Sequence, residues 1–101
     1  MTQRKAKAKI TKSSGNVFAD LGFAPEEAEH LRLRAQLMSA VRDVIRHRKL
    51  TQTQAAKLFR VSQPRVSDLV RGKIDLFSMD ALVGMLAQAG VHVGLTIENA
   101  A

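Results

Sequence analysis

Along this chain the apolar residues keep two different rhythms, one of 3.6 residues and one of 2. Leu31, Ala35, Met38, Val41 and Ile45, with Leu37 and Val44 beside them, share one face of a helix. Pro25 suits the first helical position, and Glu26, Glu27 and Glu29 complement the positive end of the dipole. Arg46, Arg48 and Lys49 match the negative end, so the pattern predicts a helix from Pro25 to about His47. A rise of roughly 1.5 Å per residue makes it longer than one small domain needs. Its first turns are therefore expected to touch a second protomer or to stand clear. Just before it, residues 17–23 form a short apolar island, either a strand or an extended segment docked on the core.

Leu50 to Gly72 carries the densest local signals. Thr51 with Gln54 three residues on reads as a capping box, followed by inward-facing Ala55, Ala56, Leu58 and Phe59. Two adjacent small residues let another helix cross closely. Arg60, Val61 and Ser62 make the corner, with Ser62 as the next N-cap and Pro64 in the first turn, where its missing N–H costs little. Val61 and Val66 fit a hydrophobic staple. Val66, Leu69 and Val70 are expected to face the core. Gln63, Pro64, Arg65, Ser67, Asp68 and Arg71 are left outside, and Gly72 ends the helix.

Lys73 to Phe77 is a loop too apolar to hang free. Ser78 caps a further helix whose inner face is expected to be Leu82, Val83, Leu86 and Ala87, stopped by Gly90. Beyond it the rhythm changes to 2. Val93, Leu95 and Ile97 alternate with His92, Gly94, Thr96 and Glu98, which predicts a strand over residues 92–98. A lone strand cannot satisfy its backbone, so its partner is the 17–23 segment, the same strand of another copy, or another protein.

Charge sharpens the picture. Sixteen Lys and Arg against nine Asp and Glu leave +7. Residues 1–16 hold five bases and no acid; residues 46–73 hold eight bases against Asp68 alone. A basic excess gathered on the tail and on the paired short helices is the footprint of a polyanion partner. The tail itself, residues 1–16, has almost nothing to bury and reads as disordered, either a phosphate-holding arm or a solubilising tail. Residues 17–101 make one domain. Without cysteine there is no disulfide or thiolate metal site, which suits the cytoplasm. No secretory signal or membrane span is expected. Three scattered histidines, no glycine-rich phosphate loop and no carboxylate pair beside a histidine leave nothing from which to build a catalytic site. The expectation is a protein that is not an enzyme and needs no metal or cofactor.

Leu50-Thr51-Gln52, Ala56, Val61-Ser62 and Val66-Ser67-x-Leu69, closing at Gly72, resemble the XRE/Cro-repressor helix-turn-helix family over about residues 41–90. The whole chain, from Asn16-Val17-Phe18 through His92-Val-Gly-Leu-Thr-Ile97, is similar to small HigA-like antitoxins. The resemblance implies a mostly α, lambda-repressor-like DNA-binding bundle of four to five helices with a C-terminal strand, and a homodimer that binds an inverted-repeat operator and represses its own operon. For the antitoxin branch it also implies a small ribonuclease toxin as partner; the alternative is a stand-alone repressor. It implies base reading by Gln63, Pro64, Arg65, Ser67 and Asp68, with Asp68 meeting a cytosine amine or else pairing with Arg65 or Arg71. Thr51, Gln52, Arg71 and Lys73 are the implied phosphate ligands. Two departures stand out. The corner residue, usually glycine in the family, is Arg60, and a buried Arg–Glu pair common in the family is replaced by Ile45 and Val70.

Overall fold

The computed structural model of the protein describes residues 16–99. Of the basic tail expected over residues 1–16, all but Asn16 lies outside the described residues. In chain order the elements are α1 (Val17–Asp20), α2 (Pro25–His47), α3 (Gln52–Phe59), α4 (Gln63–Val70), a 3-10 turn (Ile74–Leu76) and α5 (Met79–Gln88). The chain divides into two compact units, one ending at Leu33 and one starting at Arg34, so the first turns of α2 belong to one and the rest to the other.

In the first unit, residues 17–23 are neither strand nor extended. Asn16 caps a single helical turn, its Oδ1 accepting from the Phe18 N–H at 3.0 Å and the Ala19 N–H at 3.3 Å. Its Nδ2 donates to the Ala28 carbonyl at 3.1 Å, which ties α1 to the start of α2. A local cap thus satisfies amides that a strand would have needed a neighbour to satisfy. The rings of Phe18 and Phe23 meet edge to face at 6.2 Å. Nor do the first turns of α2 stand clear, since Ala28 and Leu31 are buried here. On the solvent side Arg32 donates to Glu29, and that hydrogen bond holds the Glu29 carboxyl below the ordinary carboxylate range.

The second unit has one core. Met38 and Val41 of α2, Ala55 and Phe59 of α3, Val66 and Leu69 of α4, Phe77, and Leu82, Met85 and Leu86 of α5, with Ala89 just beyond it, close on one another. Among the described residues every buried side chain is apolar. The two alanines of α3 do what small residues should: α3 contacts both α4 and α5. Three expected core positions are corrected. Val70 is 43% exposed, so Ile45 and Val70 do not form a buried apolar pair. The inner face of α5 is Leu82, Met85 and Leu86, continued by Ala89 at its C-cap, at spacings of three, four and seven residues from Leu82, while Val83 and Ala87 point outward.

The four helices of this unit end alike. A residue just past each helix turns left-handed, and the next N–H reaches back five residues. Gly72 and Gly90, both at φ 77°, do this for α4 and α5, through Lys73 to Asp68 at 3.1 Å and Val91 to Leu86 at 2.9 Å. Lys49 (φ 53°) and Arg60 (φ 60°) do it for α2 and α3, through Leu50 to Ile45 and Val61 to Ala56, each at 3.0 Å. The Arg48 guanidinium adds a long-range tie, donating to the Ala89 carbonyl at 2.9 Å.

The expected strand over residues 92–98 is absent; residues 91–99 have no regular secondary structure, and no strand occurs among the described residues. The cause is topological. Residues 17–20 are spent on helix α1, so among the described residues this segment gives residues 92–98 no strand to pair with.

Candidate nucleic-acid interface

The site is built from two capped eight-residue helices and the corner between them. Thr51 Oγ1 accepts from the Gln54 N–H at 3.1 Å, while Gln54 Oε1 accepts from the Thr51 N–H at 2.8 Å, completing the capping box. Arg60 then takes the left-handed conformation that the corner demands. Ser62 Oγ accepts from the Arg65 N–H at 3.3 Å and starts α4, with Pro64 in its first turn. Val66 and Leu69 hold α4 to the core, which turns Gln63 and Pro64 to solvent and leaves Ser67 and Asp68 half-buried. Thr51 and Gln52, at the mouth of α3, are exposed, as are Arg71 and Lys73 at the far end of α4.

Two polar side chains are already engaged by the protein itself. Arg65 folds back from α4: its Nη1 donates to the Leu76 carbonyl at 2.7 Å, and its guanidinium lies 4.1 Å from the centre of the buried Phe77 ring. Asp68 pairs with Lys73, at 3.6 Å, rather than with Arg65 or Arg71. The outward surface of α4 as folded therefore consists of Gln63, Pro64 and the half-buried Ser67, with the exposed Val70 and Arg71 at its end.

This arrangement, two short helices joined through a tight left-handed corner with the second presented outward, has a counterpart among known families. A helix-turn-helix domain family matches residues 17–98. The chain belongs to that family. No curated protein matches it. The match extends well past the paired helices of the helix-turn-helix, taking in α1 and the irregular segment that follows α5. None of the described helices is long and apolar enough to cross a membrane.

Around the helix-turn-helix the structure also gathers residues that its sequence motif does not contain. Arg34 and Arg42, two turns apart on α2, both reach the backbone that follows α4. Arg34 Nη1 donates to the Ile74 carbonyl at 3.3 Å. Arg42 Nη1 lies 3.8 Å from where a Cβ on Gly72 would sit. With Arg65 they place three guanidinium groups around residues 72–76. The sequence held one faint signal for this: Arg34 and Arg42, with Arg32, are the only Lys or Arg residues outside the two basic stretches.

Proposed function

We propose that the protein is a sequence-specific DNA-binding transcriptional regulator that acts as a homodimer on an inverted repeat and represses its own operon. The observation that carries this reading is the outward face of α4, presenting Gln63, Pro64 and Ser67, with Thr51 and Gln52 exposed at the start of α3 and Arg71 and Lys73 exposed past the end of α4. A helix so presented suits the major groove, where a glutamine amide can meet both polar groups of an adenine edge and a serine hydroxyl can donate or accept. Thr51 spends an acceptor lone pair on its cap, which leaves its hydroxyl hydrogen for a phosphate oxygen. The remaining basic groups give affinity without sequence information. The role is binding rather than catalysis, and its natural place is the cytoplasm, on the nucleoid.

Within this reading the protein is an antitoxin, neutralising a small ribonuclease toxin encoded beside it, or else a stand-alone repressor. The test is a gel shift with the DNA upstream of its own gene, at several salt concentrations, with and without the product of the adjacent gene. Specific binding with a steep inverse salt dependence is expected. Equal affinity for upstream and unrelated DNA would reject sequence-specific regulation. A complex super-shifted by the neighbouring product supports the antitoxin form; indifference to it supports the stand-alone form.

A further inference from the structure

The segment after α5 is anchored at one end and bare along the rest. Val91 packs against the core, and its N–H bonds the Leu86 carbonyl. From His92 onward the described chain enters no helix or turn, and no backbone hydrogen bond is made there. Leu95 and Ile97 are 82% and 83% exposed, and Val93 is also exposed. A linker would not carry large apolar side chains at every second position, and the family match includes the segment through residue 98. One register pairs all the apolar positions of residues 92–98 with one another. Directly opposite residues of an antiparallel pair point to the same face, so a register that is off by one would set apolar against polar positions. Centring on Leu95 sets Leu95 against Leu95, Val93 against Ile97, and Gly94 against Thr96. It also sets the His92 imidazole, a hydrogen-bond donor, against the Glu98 carboxylate at both ends. A register centred on Gly94 would set Ile97 against Val91, which the core already holds, and one centred on Thr96 would set Val93 against Asn99.

We propose that residues 92–98 form a strand only on dimerisation, pairing antiparallel with the same residues of a second copy about a two-fold axis at Leu95. All six apolar side chains then share one face, and both His92–Glu98 pairs share the other. The two roots are fixed at Val91, so the ribbon is held by the folded units rather than standing as an isolated hairpin, which is marginal in water. This surface gives the homodimer of the proposed function its contact, but it does not depend on DNA binding.

Because the chain has no cysteine, single cysteines report the register cleanly. Full-length Val93→Cys, Leu95→Cys and Ile97→Cys would each be oxidised with diamide and run on a non-reducing gel, alone and after mixing under reducing conditions. Leu95→Cys is expected to cross-link to itself. Val93→Cys and Ile97→Cys are expected to remain single alone and to cross-link when mixed. Self-cross-linking of all three would mean a parallel pairing, and a sedimenting dimer with no cross-link would mean another surface; either overturns the proposal, as does a monomer at high concentration. Leu95→Lys, which sets like charges face to face, is expected to raise the dimer dissociation constant roughly tenfold or more. His92→Glu should weaken the dimer, and adding Glu98→Lys should restore it; failure of that rescue overturns the register. Cross-linking as expected by a protein that binds no operator would leave this inference standing while the proposed function fell.

Discussion

Arg60 and Lys49 occupy backbone conformations that glycine adopts at less expense, and they sit at the two ends of the segment that carries α3. A side chain in the left-handed region costs on the order of 1 kcal/mol. Arg60→Gly is therefore expected to raise the unfolding free energy by up to about 1 kcal/mol, measured by urea denaturation. If the arginine holds a DNA phosphate, the same variant binds more weakly with a salt slope shallower by about one. Arg65 presents the opposite case. Its guanidinium grips the Leu76 carbonyl and the Phe77 ring, interactions worth about 1.5–3 kcal/mol for a hydrogen bond to a charged group and about 0.5–1 kcal/mol for the ring. Arg65→Ala is expected to destabilise the fold by about 1–3 kcal/mol in urea and to weaken all DNA sequences alike. Loss of discrimination at one base pair with unchanged stability would instead make it a base reader that swings outward on binding. The sequence could place Arg65 on the outer side of α4 because helical spacing is local. It could not show that the side chain folds back, because Leu76 and Phe77 are brought there only by the tertiary fold.

At the scale of elements, what was legible is what is decided within four residues. The Thr51–Gln54 capping box, the Ser62 and Ser78 caps and the start of α2 at Pro25 all stand where the sequence puts them. Each cap is a side chain meeting an amide in its own turn, and Pro25 fixes its own φ at a helical value. Thr51→Val and Ser62→Ala should each cost about 1 kcal/mol, read from urea midpoints, and should reduce DNA affinity by loosening the helix they start. Where the competition is between distant partners the pattern misled. Residues 17–23 are apolar enough for a strand, but the Asn16 amide bridges to Ala28 and closes a helical turn instead. On α5, Val83 and Ala87 are as apolar as Met85 and Ala89, and only the position of the other helices decides which pair is covered.

For the molecule as a whole, the wholly apolar interior of the second unit concentrates stability in few positions. Leu69→Ala removes a fully buried side chain and is expected to cost about 2–5 kcal/mol, whereas Val70→Ala, one residue on and exposed, should stay within about 0.5 kcal/mol. Urea denaturation of the two variants checks the contrast. The distribution of charge was legible from the chain because it is a property of composition. The gathering of Arg34, Arg42 and Arg65 around residues 72–76 was not, because it joins residues as far as 40 positions apart.

On α4, Val66 and Leu69 attach the helix to the core, while Gln63 and Pro64 are exposed and Ser67 is half-exposed to solvent. The consequence is evolutionary. A mutation at any of those outward positions changes what the helix can recognise without disturbing what holds it, so a lineage can move between target sites through folded intermediates. A duplicated copy of such a gene need not lose its fold on the way to a new operator. The two guanidinium grips on the loop behind α4 keep the frame constant while the letters presented on it change.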